Sequence, residues 1–381
     1  MKNVAIVGAS TLVYLGEMNE ILDMLTPEPT LRADSNQSLD FVCSKNDFEA
    51  DDLGEPAGWN RPFDPVAELG ENGLLPSEAP YSVKRRTVLP IILFLATCLS
   101  TFWAGIVLWN PDVTIPFYEA WGTRSLVGFR QMLIMNWETG LIYMGGVMLI
   151  LFLHEMGHFV ATIYYRVPAS YPFFLPFPIN PIGTMGAVIA MQGAMADRKQ
   201  IFDIGIAGPL AGLVAAVPIA YFGVSQLDLT TQAYGGFGFR LPLLLDWFAT
   251  TTQVPGYETG DVVWMSQLNP LFVAGWVGML ITGMNMMPIG QLDGGHITYT
   301  MFGKAAHWIA QISIIFAIAY MVYFNNFLLI LMIVLLLLMG PNHPPTRDDS
   351  VPIGPFRYVL GMASLAIPIL CFPPQVFKLS M

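Results

Sequence analysis

Along most of this chain apolar residues neither alternate nor recur at helical spacing; they run on in long blocks. The blocks cover about Val88 to Trp109, Leu141 to Tyr165, Ile201 to Phe222, Leu268 to Met287, Ala305 to Tyr323 and Phe327 to Met339. A seventh, Tyr358 to Phe372, is short and interrupted by Pro368. Blocks of this length predict membrane-crossing helices, because in hydrocarbon each backbone N–H and C=O must find its partner within the segment. The expected fold is an all-α polytopic membrane protein with about six to seven transmembrane helices. Tyr171 to Gln192 is equally apolar, but Pro172, Pro176, Pro178, Pro181, Gly183 and Gly186 forbid a straight helix. It is expected to be a re-entrant loop or short hairpin sheltered inside protein. Pro111 to Trp137, with Arg124 and Arg130, is expected at or beyond the outer interface.

Composition agrees with that pattern. Of 381 residues, 54% are hydrophobic and 12% charged, about half the usual charged share. So few charges cannot clothe a soluble chain of this size, which excludes a cytosolic globular enzyme, a disordered chain and a nucleic-acid binder. The net charge of −11 belongs entirely to residues 1–80, with 15 acids and 4 bases, whereas 81–381 hold 13 of each. Four regions follow: an acidic, flexible or weakly folded cytoplasmic segment (1–83), the first helix and outer loop (84–140), a membrane core (141–305) and C-terminal helices (306–381). Met1 to Met18 has no basic lead, so no cleavable signal peptide is expected. Lys84-Arg85-Arg86 before the first span place the N-terminus in the cytoplasm. Counting crossings then puts Arg166, Arg198-Lys199, Lys304, Arg347 and Arg357 inside and the acidic loop Leu227 to Asp261 outside.

The second span carries His154-Glu155-Met156-Gly157-His158. Residues four apart lie about 40° apart around a helix, so both imidazoles face one side and can share a zinc ion. Glu155 lies about 100° round, where its carboxylate can reach a water beside the metal and act as general base. It is the one formal charge in an apolar span, and a carboxylate left there without a partner is costly. A third ligand is wanted on the same side of the membrane. Asp293 and His296, after the helix-breaking Pro288 and Gly290, are the two candidates. His307 and His343 have no companion pattern and are expected to be structural or interfacial.

These motifs resemble those of the site-2 proteases, a family of intramembrane zinc metalloproteases. The resemblance rests on His154-Glu155-Met156-Gly157-His158 and on Asn285, Pro288 and Leu292-Asp293-Gly294-Gly295, over roughly residues 140–305. Gly183-Thr184-Met185-Gly186, Asp197-Arg198, Ala207-Gly208-Pro209-Leu210-Ala211-Gly212 and His343-Pro344-Pro345-Thr346 are similar to the plant-plastid and cyanobacterial branch. That branch lacks a PDZ domain, and the loop of about 45 residues here is too short for one. The resemblance implies zinc ligation by His154, His158 and Asp293, a catalytic base in Glu155, and substrate contact by Asn285, whose amide could equally pair with a neighbouring span. Gly183 and Gly186 either let a substrate strand add to the re-entrant segment, which would lie near the active site, or serve only a tight turn. The implied protein is a multi-pass enzyme of the cell (inner) membrane, in contact with lipid. It would cleave single-span protein substrates already trimmed by another protease. A zinc- or proton-coupled transporter would show internal repeats, and none is visible. A catalytically silent scaffold would lack the Glu or a ligand, and all four are present.

Overall fold

A computed structural model describes residues 87–191, 193–324, 334, 346–372 and 378–379. The acidic segment 1–83, Lys84-Arg85-Arg86, His343 and most of the sixth expected span lie outside the described residues. The first apolar block forms α1 (Val88–Val107), and Asn110 then caps α2 (Pro111–Thr123) by accepting a hydrogen bond from the Asp112 amide. A left-handed Arg124 turns the chain, and Ser125 caps α3 (Leu126–Tyr164). At 39 residues α3 begins well before the expected Leu141, since no proline interrupts the stretch. Its rise of about 58 Å is nearly twice a bilayer's hydrocarbon thickness.

The proline-rich segment forms an antiparallel hairpin of β1 (Phe173–Pro176) and β2 (Thr184–Val188). An Asp197–Gln200 capping box then starts α4 (Arg198–Ser225). The following loop contains β3 (Phe237–Arg240), α5 (Leu243–Thr251) and β4 (Val262–Trp264). Asn269 and Pro270 open α6 (Pro270–Asn285), and α7 (Asp293–Phe302), α8 (Ala305–Tyr323), α9 (Pro355–Ser364) and α10 (Ile367–Cys371) follow. A final pair of residues, β5 (Lys378–Leu379), joins β3 on the edge opposite β4. The described residues are mostly helical, as expected, and the hairpin is one of the two shapes expected for its segment; three further short strands occur, two in the connection between α4 and α6 and one after α10.

Among the described residues α1, α3, α4 and α8 are long and apolar enough to cross a membrane. The expected fourth span is the shorter α6, and the seventh breaks into α9 and α10. α6 lies at the centre: Phe272 to Leu280 are all buried. Small residues let α3 and α4 reach it, for a Cβ on Gly146 would lie 2.7 Å from Ala274 Cβ and one on Gly275 2.4 Å from Ala220 Cα. At the far end of α6 from Asn285, the rings of Phe239, Trp109 and Trp276 meet, with Phe239 and Trp276 centroids 4.9 Å apart. The three-stranded sheet therefore caps that end of the bundle with aromatic side chains.

Candidate metal centre

His154 and His158 lie one turn apart on α3, 2% and 6% exposed, with their Nε2 atoms 3.3 Å apart. Asp293 faces them as the first residue of α7. Its Oδ2 is 3.1 Å from His154 Nε2 and its Oδ1 3.2 Å from His158 Nε2. One ligand atom from each of the three residues lies within 4.8 Å of the other two.

The loop that delivers Asp293 explains its neighbours in sequence. α6 ends at Asn285, and residues 286–292 fold back against the first turn of α7. A Cβ on Gly294 would lie 2.2 Å from the Met286 carbonyl oxygen, and one on Gly295 2.3 Å from that of Gly290. Gly290 itself has φ +52°. Only glycines allow so close a return. The result sets the carboxylate at a helix N-terminus, where the unpaired N–H groups favour negative charge.

α4 forms the opposite wall. Gly205, Gly208 and Gly212 are spaced to share one face of that helix. A Cβ on Gly208 would lie 2.0 Å from His158 Nε2, and one on Gly212 3.1 Å from His154 Nδ1. Pro209 removes an amide from the ladder of α4 beside this point. The Ile204 carbonyl accepts a hydrogen bond of 2.7 Å from His158 Nδ1. Neither the Ile204 carbonyl nor the reach of these glycines to the imidazoles follows from the sequence motifs; the signal is the spacing of Gly205, Gly208 and Gly212.

Because a carbonyl only accepts, His158 Nδ1 carries the proton. In the neutral ring Nε2 then presents a lone pair, aimed at a second imidazole nitrogen and a carboxylate. The Asn285 amide nitrogen lies 3.3 Å from His154 Nε2 and can donate to a lone pair on that atom. Acceptors gathered this closely fit a cation between them, and two imidazoles with a carboxylate are a donor set that zinc takes with one position left open.

Glu155 is 4% exposed, and among the described residues no protein group hydrogen-bonds its carboxylate. His296 stands outside the ligand group, its Cβ 3.2 Å from where a Cβ on Gly205 would be. Gly183 (φ +82°) sits in the hairpin turn pressed against α1, where its carbonyl accepts a 2.6 Å hydrogen bond from Ser100 Oγ. The adjacent Ile182 carbonyl accepts from Tyr143 Oη at 3.0 Å. Gly186 (φ +98°) lies in β2 with open space where its Cβ would be. Near its base the hairpin segment meets α3 through Phe159 and Tyr171, rings 5.6 Å apart. The hairpin segment thus meets α3 at two levels, Phe159 near its base and Tyr143 near its turn, about 24 Å apart along the helix. A cavity of about 90 Å³ is lined by Pro288, Gly290 and Gly295 of the Asp293 loop and by Tyr299, Lys304 and His307.

Two histidines one turn apart, a returning loop with its aspartate and a glycine-faced third helix bring together, among helices apolar enough to cross a membrane, a group of side chains that could hold a metal ion. Residues 142–332, half of the chain, match the family model for Peptidase family M50, and the chain belongs to that family. It is the site-2 protease family that the motifs resemble. The chain is 33% identical over 229 residues to Probable zinc metalloprotease EGY1, chloroplastic, of Oryza sativa subsp. japonica, covering 58% of this chain and 38% of the relative. It is 36% identical over 169 residues to the protein of the same name from Arabidopsis thaliana, covering 42% and 29%. With Probable zinc metalloprotease EGY2, chloroplastic, of Arabidopsis thaliana the figures are 30% over 158 residues, 41% and 28%. The matched segments thus span less than two-fifths of these relatives' lengths.

Proposed function

We propose that this integral membrane protein is an intramembrane zinc endopeptidase that cleaves membrane-spanning protein substrates. The observation that carries the reading is the convergence of His154 Nε2, His158 Nε2 and the Asp293 carboxylate in a buried site, with the His158 proton turned away to Ile204. The zinc metalloprotease names of the relatives support it. Zinc held there would polarise the scissile carbonyl and make water acidic enough to deprotonate near neutral pH. Glu155, buried beside the ligands without a protein partner, accepts the proton of the attacking water and passes it to the leaving amine. The Asn285 side chain is placed to donate to a substrate carbonyl near His154. Substrate must be unwound, since a helix hides its carbonyls. β2 pairs with β1 alone in its sheet, and its other edge at Gly186 suits an extended segment added as a strand. Gly183, wedged against α1, supports the hairpin instead.

Metal analysis tests the ligand set. Purified protein is expected to carry about one zinc per chain. Asp293→Ala is expected to lose most of it and His296→Ala to keep it. The opposite pattern gives the third position to His296, and wild-type protein without zinc removes the reading altogether.

We place the N-terminus on the cytoplasmic face of a cell membrane, with the metal site opening to that face. Two contacts support the alternation of sides. Segment 346–350 bonds to the start of α4, where Arg198 N donates to the Asp348 carbonyl at 3.2 Å, and β5 pairs with β3. Each contact joins segments that the crossing count puts on one side. α3 continues for six residues past His158, about 9 Å, before it ends at Tyr164 and the chain turns at Arg166, so the site is placed inside the hydrocarbon but off its midplane. The aromatic cap beyond Trp276 closes the other end. In a background free of native cysteines, Arg166→Cys and Lys304→Cys are expected to react with a membrane-impermeant reagent only in inverted vesicles. Labelling of intact cells would reverse the topology.

A further inference from the structure

We propose that Arg198 is a positioning residue for the metal centre, clamping the far end of α7 so that Asp293 at its near end meets the two histidines. The proposal rests on the zinc reading above. Arg198 is the first residue of α4, and its side chain turns onto α7. Nε donates to the Thr300 carbonyl at 2.6 Å and Nη2 to that of Met301 at 3.4 Å, while Nη1 donates to the Asp349 carbonyl at 3.3 Å. Thr300 and Met301 belong to the last turn of α7, whose carbonyls have no partners further along the helix. A cation there also complements the negative end of the helix.

α7 has ten residues, and Thr300 is about 10 Å along it from Asp293. So short a rod takes its position from what holds its ends. α4 meanwhile sets His158, through the Ile204 carbonyl and the Gly208 face. Arg198 therefore ties the helix that orients His158 to the helix that carries Asp293, and any sliding between them changes the 3.2 Å separation of the two side chains. Segment 346–350 closes the clamp: Arg347 N donates to the Ala196 carbonyl at 2.9 Å, and Tyr299 Oη to Asp349 Oδ2 at 2.8 Å. A lysine in place of Arg198 would keep the charge but lose the planar fork that engages three carbonyls at once.

Cobalt titration of the full chain, purified in detergent and stripped with a chelator, tests this through visible absorption, which reports coordination geometry. Arg198→Ala is expected to weaken Co2+ binding about tenfold or more and to alter the spectrum. Arg198→Lys is expected to fall between it and wild type. Arg347→Ala removes only the exposed ion pair to Asp197 at 3.5 Å and is expected to match wild type. Wild-type affinity and spectrum in Arg198→Ala would overturn the proposal, as would an equal loss in Arg347→Ala, which would mean general loosening. If Arg198→Ala does not fold, Arg198→Lys decides, and wild-type binding in it overturns the clamp. Wild-type protein that binds no Co2+ refutes the zinc reading itself, before any variant is compared.

Discussion

Replacing Glu155 by Gln is expected to lower cleavage of a membrane-spanning substrate by about 10² to 10⁴-fold while leaving metal content and fold unchanged. The amide is nearly the shape of the carboxylate, so the packing of α3 against its neighbours has no reason to change. What it loses is the ability to take a proton. Glu155 is 4% exposed, and the described structure gives its carboxylate no protein hydrogen bond that the substitution would break. A structural role therefore predicts little effect, and a proton-transfer role predicts nearly complete loss. Single-turnover cleavage of a reconstituted substrate, measured alongside zinc content, separates the two. A Glu155→Gln protein that is zinc-loaded and cleaves at the wild-type rate would remove Glu155 from the chemistry.

The helical half of the candidate metal centre is legible in the sequence because it is periodic. His154 and His158 must share a helix face at that spacing, and an apolar block around them fixes the helix. Asp293 is harder, since it lies 135 residues beyond His158, and only the breaks at Pro288 and Gly290 hinted that the chain turns there. The structure adds why Gly294 and Gly295 follow: any side chain would strike the carbonyls of the returning loop. The span boundaries were read well where hydropathy changes sharply, as at α8. They failed for α3, because residues 126–140 are helical without being continuously apolar. Hydropathy reports where a helix meets lipid, not where its hydrogen-bonded ladder begins.

Other features were hidden because they are made by contacts between segments far apart in sequence. The hairpin was expected only as one of two shapes, and proline content could not say which, because both break a helix. The sheet of β3, β4 and β5 pairs strands drawn from the 227–264 loop and from residues 378–379. Arg198 sits in a sequence that reads as a basic helix start at the membrane face, yet its fork turns inward to carbonyls at 300 and 301. Side-chain direction of this kind is set by what packs alongside, which no local pattern encodes.

The glycine face of α4 yields the second large effect. Gly208→Ala is expected to cost about 100-fold or more in cleavage and most of the bound zinc. The added Cβ would lie 2.0 Å from His158 Nε2, well inside contact distance, and the imidazole has nowhere to swing. It is 6% exposed and fixed on its other edge by the 2.7 Å bond from Nδ1 to the Ile204 carbonyl. Either the ring leaves the site or α4 backs away, and both separate His158 from Asp293. The helix itself gives no reason for loss, since Ala is the better helix former by about 1 kcal/mol. Gly212→Ala meets His154 Nδ1 at 3.1 Å, a contact that yields with a shift of a few tenths of an ångström, so its loss is expected to be smaller. Gly145→Ala, on the opposite partner α3 with nothing within 4 Å, is expected to behave as wild type. Zinc content and cleavage rate measured across the three variants should fall in the order of these distances. A Gly208→Ala protein with full zinc and a wild-type rate would show that His158 has room that the wall of α4 denies it, and that the wall does not set the metal centre.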